Sequence, residues 1–269
     1  MVFIVRVPGI NSNGKTKGCK NAGLKIIESL REIGSNEKGI PIDTRLFDFE
    51  EIHLDNSNLE LTHELISKNS LKIFEEKPKT IFLGGDHSIS YPLVNSFFKN
   101  SEKAGKEPCL MIFDSLSDCL DMKDLKFPSN REWVKELVEN GFPPENIFLI
   151  GVRDLDLSEI SFLNKNKIKV LKMNQILENI DDSCDILMEF SKGREVYISV
   201  DIGVLDPAFS PGSTHNIPGG LTSRQLIYFI QRLNKIKTLR AADIVEVNPK
   251  KDYKEMTVKL AAKILSELV

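Results

Sequence analysis

Ser199-Val-Asp-Ile-Gly-Val-Leu-Asp-Pro-Ala-Phe-Ser-Pro-Gly212 is the stretch that decides how this chain is read. It begins inside an apolar run over 196–200, the pattern of a strand buried on both faces of a parallel sheet. The run ends on a carboxylate, Asp201. The Pro- and Gly-rich residues that follow cannot continue a strand, so Asp201 sits at a strand's carboxyl end. In open α/β sheets ligands bind outside those ends. Two other segments have the same form. Leu83-Gly-Gly-Asp-His-Ser88 follows the apolar run 80–83, and Asp114-Ser-Leu-Ser-Asp118 follows 109–113. Three buried strands are therefore predicted to deliver His87, Asp114, Asp118 and Asp201 to one edge of a sheet.

Outward from these segments, apolar strand patterns alternate with helical ones. Strands are expected over 2–7, 44–49, 80–83, 109–113, 147–150, 168–171, 196–200 and 239–245. Helices are expected over 21–33, 59–76, 91–99, 132–140, 158–164, 181–192, 223–236 and 254–268. Strand–helix alternation of this kind predicts a parallel sheet covered on both faces, and no repeat or linker interrupts it. The expectation is one domain over residues 1–269. The formal charge of -3 is spread along the chain, with no basic block for nucleic acid and no apolar run long enough for a membrane span. Cys19, Cys109, Cys119 and Cys184 form no CxxC pair, which fits free thiols in a reducing cytoplasm.

One motif points elsewhere. Gly9-Ile-Asn-Ser-Asn-Gly-Lys-Thr16 matches G-x-x-x-x-G-K-[ST] after a strand. A P-loop there would hold nucleotide phosphates on backbone N–H groups and Lys15, with Thr16 on magnesium. Against it, Gly18 and Gly23 fall where the P-loop helix would begin, and glycine costs roughly 1 kcal/mol in a helix interior. The alternative is a Gly-rich connecting loop.

One imidazole and three carboxylates suit manganese or another hard divalent ion better than zinc. At this point the chain resembles the arginase, agmatinase and formimidoylglutamase family of ureohydrolases. Gly84-Gly-Asp-His-Ser88 resembles its GGDHS motif, and Ser199 through Pro207 its SxDxDxxDP motif. Ile150-Gly-Val-Arg153, Pro218-Gly-Gly-Leu-Thr222 and Asp243-Ile-Val-Glu-Val-Asn-Pro249 are similar to three further segments, and Asn13 through Leu24 to its Gly-rich N-terminal loop. The resemblance implies a three-layer α/β/α sandwich around an eight-stranded, mainly parallel sheet. It also implies a cytoplasmic homo-oligomer, a trimer or hexamer, acting on a small cationic guanidino or amidine substrate with two manganese ions.

The resemblance breaks at the chemistry. Where the family has DAHxD, this chain has Leu116 for the His; where it has SxDxD, this chain has Gly203 for the second Asp. Both changes strike the same one of the two metal sites. They leave His87, Asp114, Asp118 and Asp201 for a single ion, with Asp114 and Asp201 the candidate catalytic carboxylates. Asn130 falls where the family carries an acid/base His, and Asn cannot titrate. Glu246 matches the carboxylate that pairs with a substrate guanidinium, a planar cation suited to bidentate contact. His215, in the Pro211–Pro218 loop, is a second candidate for substrate binding or a substitute for a lost group. Three functions follow: a C–N hydrolase of agmatinase-like ancestry with a single-ion site, a non-catalytic structural or regulatory member of the family, or the nucleotide-binding reading of 9–16.

Overall fold

The computed structural model describes residues 2–12, 14–123 and 126–269; Asn13, within the 9–16 motif, lies outside them. In chain order the elements are β1 (Val2–Val7), α1 (Ala22–Leu30), β2 (Phe47–Glu51), α2 (Leu59–Glu76), β3 (Thr80–Gly84), α3 (Ser90–Lys103), β4 (Pro108–Phe113), α4 (Trp133–Glu139), β5 (Ile147–Ile150), α5 (Leu157–Asn166), β6 (Lys169–Leu171), α6 (Met173–Glu178), α7 (Ile180–Phe190), β7 (Glu195–Asp201), α8 (Ser223–Leu233), β8 (Leu239–Val245) and α9 (Met256–Leu268). The strands form an eight-stranded sheet in the order β2-β1-β3-β8-β7-β4-β5-β6, and every neighbouring pair is parallel.

Side chains alternate across the sheet, as strand geometry requires. Met111, Phe113, Ile198, Val200 and Ile244 pack on one face with Ile26 of α1, Phe229 of α8 and Leu265 of α9. Leu110, Ile112, Phe82 and Tyr197 pack on the other with Phe74 of α2, Phe97 of α3 and Trp133 of α4. The result is the expected three-layer α/β/α sandwich. Both cores are continuous because β3, β4 and β5 are buried along their whole length.

The departures from the sequence reading have local causes. The strand expected over 44–49 runs instead over Phe47–Glu51, because 44–46 is a 3₁₀ turn whose N-cap, Asp43, accepts the Arg45 backbone N–H at 3.1 Å. Helix α6 has no counterpart in that reading; six residues are too few to establish a helical period. The last helix begins at Met256 rather than 254, since Lys254 and Glu255 sit at φ 50° and 58°. Strand β7 stops at Asp201 and turns into a 3₁₀ segment, Ile202–Val204, so Gly203 is not on extended backbone.

The P-loop reading of 9–16 fails on this geometry. The helix it requires would start at Gly14-Lys15-Thr16, whereas α1 starts at Ala22. The Thr16 hydroxyl is buried and donates to Asp86 Oδ2 at 2.6 Å, so it serves the loop and not a magnesium ion.

Candidate metal centre

The order β3-β8-β7-β4 places four strand ends side by side. Residues just beyond or at those ends are His87, Glu246, Asp201 and Asp114. The loop after β3 is set by close packing: a Cβ on Gly85 would lie 1.9 Å from the Gly9 carbonyl oxygen, so only glycine fits. Asp86 then caps the 3₁₀ turn His87–Ile89, accepting from the Ser88 N–H at 3.2 Å while its other oxygen takes the Asn11 N–H at 2.8 Å. Its oxygens are therefore committed to the loops. His87 is left facing the cluster.

His87 is fully buried, and its Nδ1 lies 3.1 Å from Asp114 Oδ2, 3.0 Å from Asp118 Oδ2 and 3.3 Å from Asp201 Oδ2. Its Nε2 is 2.9 Å from Ser199 Oγ. The Ser199 hydroxyl donates to Asp243 Oδ1 at 2.7 Å, so Ser199 accepts from Nε2–H. Asp243 takes two more hydroxyl donors at its other oxygen, Ser90 at 2.8 Å and Tyr197 at 2.9 Å. This chain fixes which ring nitrogen carries the proton and aims Nδ1 at the carboxylates. Asp114 Oδ1 accepts the Leu116 N–H at 3.0 Å, and Asp201 Oδ1 the Gly203 N–H at 2.6 Å. Each aspartate thus uses one oxygen to close its own turn and keeps Oδ2 for the centre.

His87, Asp114 and Asp201 offer ligand atoms that lie within 4.8 Å of one another. Asp118, the fourth expected ligand, touches His87 but stands outside that mutually close set. Its Oδ2 also receives Trp133 Nε1 at 2.9 Å, and Arg131 Nε is 3.5 Å from its Oδ1. The turn that carries it is held by Glu159, fully buried, whose Oε1 accepts from the Ser117 hydroxyl at 2.6 Å and the Cys119 N–H at 3.2 Å. Asp118 is at φ 53° and Glu246 at φ 62°, left-handed backbone that non-glycine residues adopt at a cost and that gathers at functional sites. Arg153, from the Ile150-Gly-Val-Arg153 segment, fastens the loop beyond Asp201 by donating to the carbonyls of Gly203 at 2.9 Å and Ile217 at 2.7 Å.

Burial disfavours a charged His87, but hydrogen bonds to Asp114, Asp118 and Asp201 outweigh it and hold the imidazole well above its usual pKa. Burial, with the nearby Asp114 charge, pushes Asp118 up to about 7 and Asp201 up to about 6. Asp114 is the group that ionises first: burial alone would raise it, and the His87 contact lowers it below the usual carboxylate value. One imidazole nitrogen among buried carboxylates makes a hard, oxygen-rich donor set. It fits a hard divalent ion such as manganese.

The Arginase family profile matches residues 1–269. The chain belongs to the arginase family. An arginase of Staphylococcus aureus is 30% identical over 258 residues, covering 87% of this chain and 83% of its own length. An agmatinase of Bacillus subtilis is 28% identical over 230 residues, covering 84% and 75%. Formimidoylglutamase from Bacillus subtilis has the same fold, with a TM-score of 0.87 at 23% identity over 99% of this chain and 85% of that one. Within this arginase-family chain, Leu116 and Gly203 are both buried.

The two residues expected to bind substrate are not together. His215 lines a cavity of about 310 Å³, with Lys15, Lys123, Asn130, Arg131 and Glu132 in the same wall. Glu246 is buried and does not line it. Its Oε1 accepts from the His87 N–H at 3.1 Å and from Asn130 Nδ2 at 2.9 Å, so Asn130 stands between Glu246 and the cavity. Burial and the charges of Asp201 and Asp86 raise the Glu246 carboxyl well above its usual pKa. Among the described residues the His215 ring makes no hydrogen bond to the carboxylates and is not in the mutually close set His87, Asp114 and Asp201. A larger cavity of about 630 Å³ beside Phe148 and Phe190 touches none of these groups; the smaller one adjoins the chemistry.

The Ser199–Asp243 pair is absent from the sequence reading. The signal was present: an aspartate inside an otherwise apolar strand, in register with Ser199 on its neighbour, has to be partnered. Ser199→Ala would leave His87 Nε2–H buried with no acceptor. We expect a loss of about 1–3 kcal/mol in denaturant unfolding, and manganese affinity down by roughly ten- to a hundredfold. Unchanged affinity in the folded variant would remove Ser199 from this role.

Proposed function

We propose that this chain is a metal-dependent hydrolase of a non-peptide C–N bond in a guanidino or amidine compound, working with one manganese ion. The observation that carries the reading is His87 Nδ1 set within 3.3 Å of Asp114, Asp118 and Asp201, with Leu116 and Gly203 in place of the ligands for a second ion. His87, Asp114 and Asp201 would hold the ion, with Asp118 against the imidazole. Manganese, when bound, supplies Lewis acidity that polarises water or a C–N carbon centre. The chain supplies the rest. Trp133 walls the imidazole, ring centroids 4.9 Å apart, and excludes water from it. With Asn130 unable to titrate, the buried Asp118 carboxyl, 3.0 Å from His87 Nδ1, is the candidate group to take up a proton beside the ion. Glu246 would meet the cationic end of the ligand once the Asn130 amide releases it.

The same reading takes 1–269 as a single domain, supported by one sheet built from the first strand to the last. It places the protein in a reducing compartment, the cytoplasm, supported by four free and buried cysteines. Among the described residues no helix is long and apolar enough to cross a membrane. A homo-oligomer, trimer or hexamer, rests on the resemblance.

A non-catalytic family member is the second reading, favoured by the engagement of Glu246 and by the two missing ligand positions. Metal analysis of manganese-saturated protein is expected to find one ion per chain, with urea or ammonia released slowly from guanidino compounds. Two tightly held ions would refute the single-ion centre. One ion with no turnover of any guanidine or amidine would leave the non-catalytic reading.

A further inference from the structure

The cavity of about 630 Å³ lies where β5 and the edge strand β6 meet α6 and α7. Strand register sets its floor. Phe148 of β5 is paired with Lys169 of β6, and Leu171 follows Lys169 by two residues, so all three side chains leave one face of the sheet. Phe190 of α7 meets Phe148 edge to face, ring centroids 5.0 Å apart at 81°, and Ile186, one turn earlier, is left 49% exposed. Donors without acceptors surround this apolar space. Lys169 Nζ stands 4.6 Å from the Phe190 ring centroid and, among the described residues, is in no ion pair or hydrogen bond. The Arg194 guanidinium carbon is 5.1 Å from the same centroid. Its Nε donates to Glu107 Oε1 at 2.9 Å and its Nη1 to the Phe190 carbonyl at 2.7 Å, which leaves Nη2 free among the described residues. Gln175 spends its Oε1 on the Lys172 N–H at 3.0 Å, and its Nε2 is likewise unused. Glu189, the carboxylate in the wall, lies 3.4 Å from Lys192. The buried Cys109 thiol of β4 registers both cations: burial, with Glu107 adding to it, pushes the thiol up to about 12 against a pull down from Arg194 and Lys169.

A lysine on an edge strand blocks unwanted pairing, but Arg194 and Gln175, which are off the strand, have no such duty. An apolar space bordered by unmatched donors is complementary to a ligand with an apolar body and a negative, acceptor-only end. An ionised carboxylate accepts and donates nothing, and charge-assisted contacts from lysine and arginine are the strong class of hydrogen bond. Inorganic phosphate would meet the donors and leave Phe148, Leu171 and Ile186 uncovered; a neutral hydrocarbon would cover those side chains and leave the donors bare. We propose that this cavity binds an amphipathic monocarboxylate, its hydrocarbon on Phe148, Leu171 and Ile186 and its carboxylate between Lys169 and Arg194. The site is separate from the metal centre: none of its lining residues belongs to the His87 cluster or to the cavity at His215. It stands whether or not the chain hydrolyses a guanidine.

The experiment is calorimetric titration of the full chain, with manganese and with chelator, using octanoate, octanol, octylammonium and acetate. Octanoate should bind with a Kd on the order of 0.1 mM, roughly tenfold tighter than the other three. Its affinity should be the same with manganese or chelator and should weaken at high salt. Lys169→Glu, at an exposed edge position, should cost roughly tenfold. Ile186→Gln, on the open side of α7, should cost roughly threefold through lost apolar contact. Melting curves check that both variants fold; if Lys169→Glu does not, Ile186→Gln and the octanol comparison decide. Octanol or acetate matching octanoate, or full affinity in either folded variant, overturns the site. Octanoate binding that manganese abolishes or enhances would place it at the metal centre and overturns it as well. Sedimentation closes the remaining route: a dimer that Lys169→Glu disperses, with no octanoate bound, would put a second copy of the chain in the cavity instead of a carboxylate.

Discussion

Leu116→His/Gly203→Asp/Asn130→His should bind two manganese ions per chain where the natural sequence binds one, and should release urea from a guanidino substrate on the order of a hundredfold faster. Leu116 and Gly203 each stand two residues beyond an aspartate whose Oδ1 accepts their backbone N–H, Asp114 at 3.0 Å and Asp201 at 2.6 Å. New side chains at both positions would therefore arise beside the ligands already in place. Gly203 has ordinary backbone, so an Asp there meets no left-handed strain. A Cβ would lie 2.9 Å from Asp201 Oδ1, 3.2 Å from Ser213 Oγ and 3.3 Å from the His215 carbonyl oxygen, so the two side-chain ends must shift and the His215 backbone must give slightly. Extended-strand alternation does not apply, because β7 has already turned at Asp201. Leu116→His puts a polar ring in a buried position at a cost of about 1–3 kcal/mol without metal. Gly203→Asp adds a carboxylate beside Asp201, so the metal-free variant should melt lower and recover with manganese. Asn130→His restores a titratable group in the cavity wall and breaks the amide bond that closes Glu246. Elemental analysis and a urea assay decide it. A folded variant holding two ions without urea release would mean that the pocket, not the ion count, limits turnover.

The distribution of what the sequence revealed follows from physics. Buried parallel strands carry their signal in uninterrupted apolar runs, so β5 and β8 were legible to the residue. The carboxyl-end rule brings His87, Asp114 and Asp201 to one sheet edge, where the structure has them, because where a strand stops determines where its next side chain goes. Asp118 was harder. Its position depends on left-handed backbone and on Glu159, a residue distant in sequence that grips the same turn. Glu246 was legible as a strand-end carboxylate but not as one already engaged, since the Asn130 amide that donates to it comes from another loop. The cationic cavity was least legible. Lys15 looked like part of a nucleotide loop, and only the fold brings it to Lys123, Arg131 and His215. Sequence order identifies groups that leave the same sheet edge; it does not say which loops fold back over them.

Manganese should stabilise the chain strongly at pH 7.5 and hardly at all at pH 5. His87, Asp201 and the neighbouring Asp118 are protonated in the metal-free protein at the lower pH: Asp118 stands at about 7 and Asp201 at about 6, through burial and the Asp114 charge, while His87 is held well above its usual value. An ion must displace those protons, so affinity should fall by roughly tenfold per pH unit for each proton displaced. The metal-free chain moves the other way. A carboxyl whose folded pKa lies above its unfolded value of 3.8 contributes stability that is present below 3.8 and lost as pH rises to the folded value. For Asp201 that window closes near 6 and for Asp118 near 7. His87, also raised, loses its contribution above 6.5. Asp114, lowered, contributes in the opposite sense as pH rises past its folded value, and saturates above 3.8. From pH 5 to 7 the cluster's net contribution to the metal-free chain therefore declines while its affinity for a cation grows. Melting temperatures with manganese or with chelator, taken every half unit from pH 5 to 8, should diverge steadily. A manganese-induced shift that stays flat across that range would show that these carboxylates and His87 do not hold the ion.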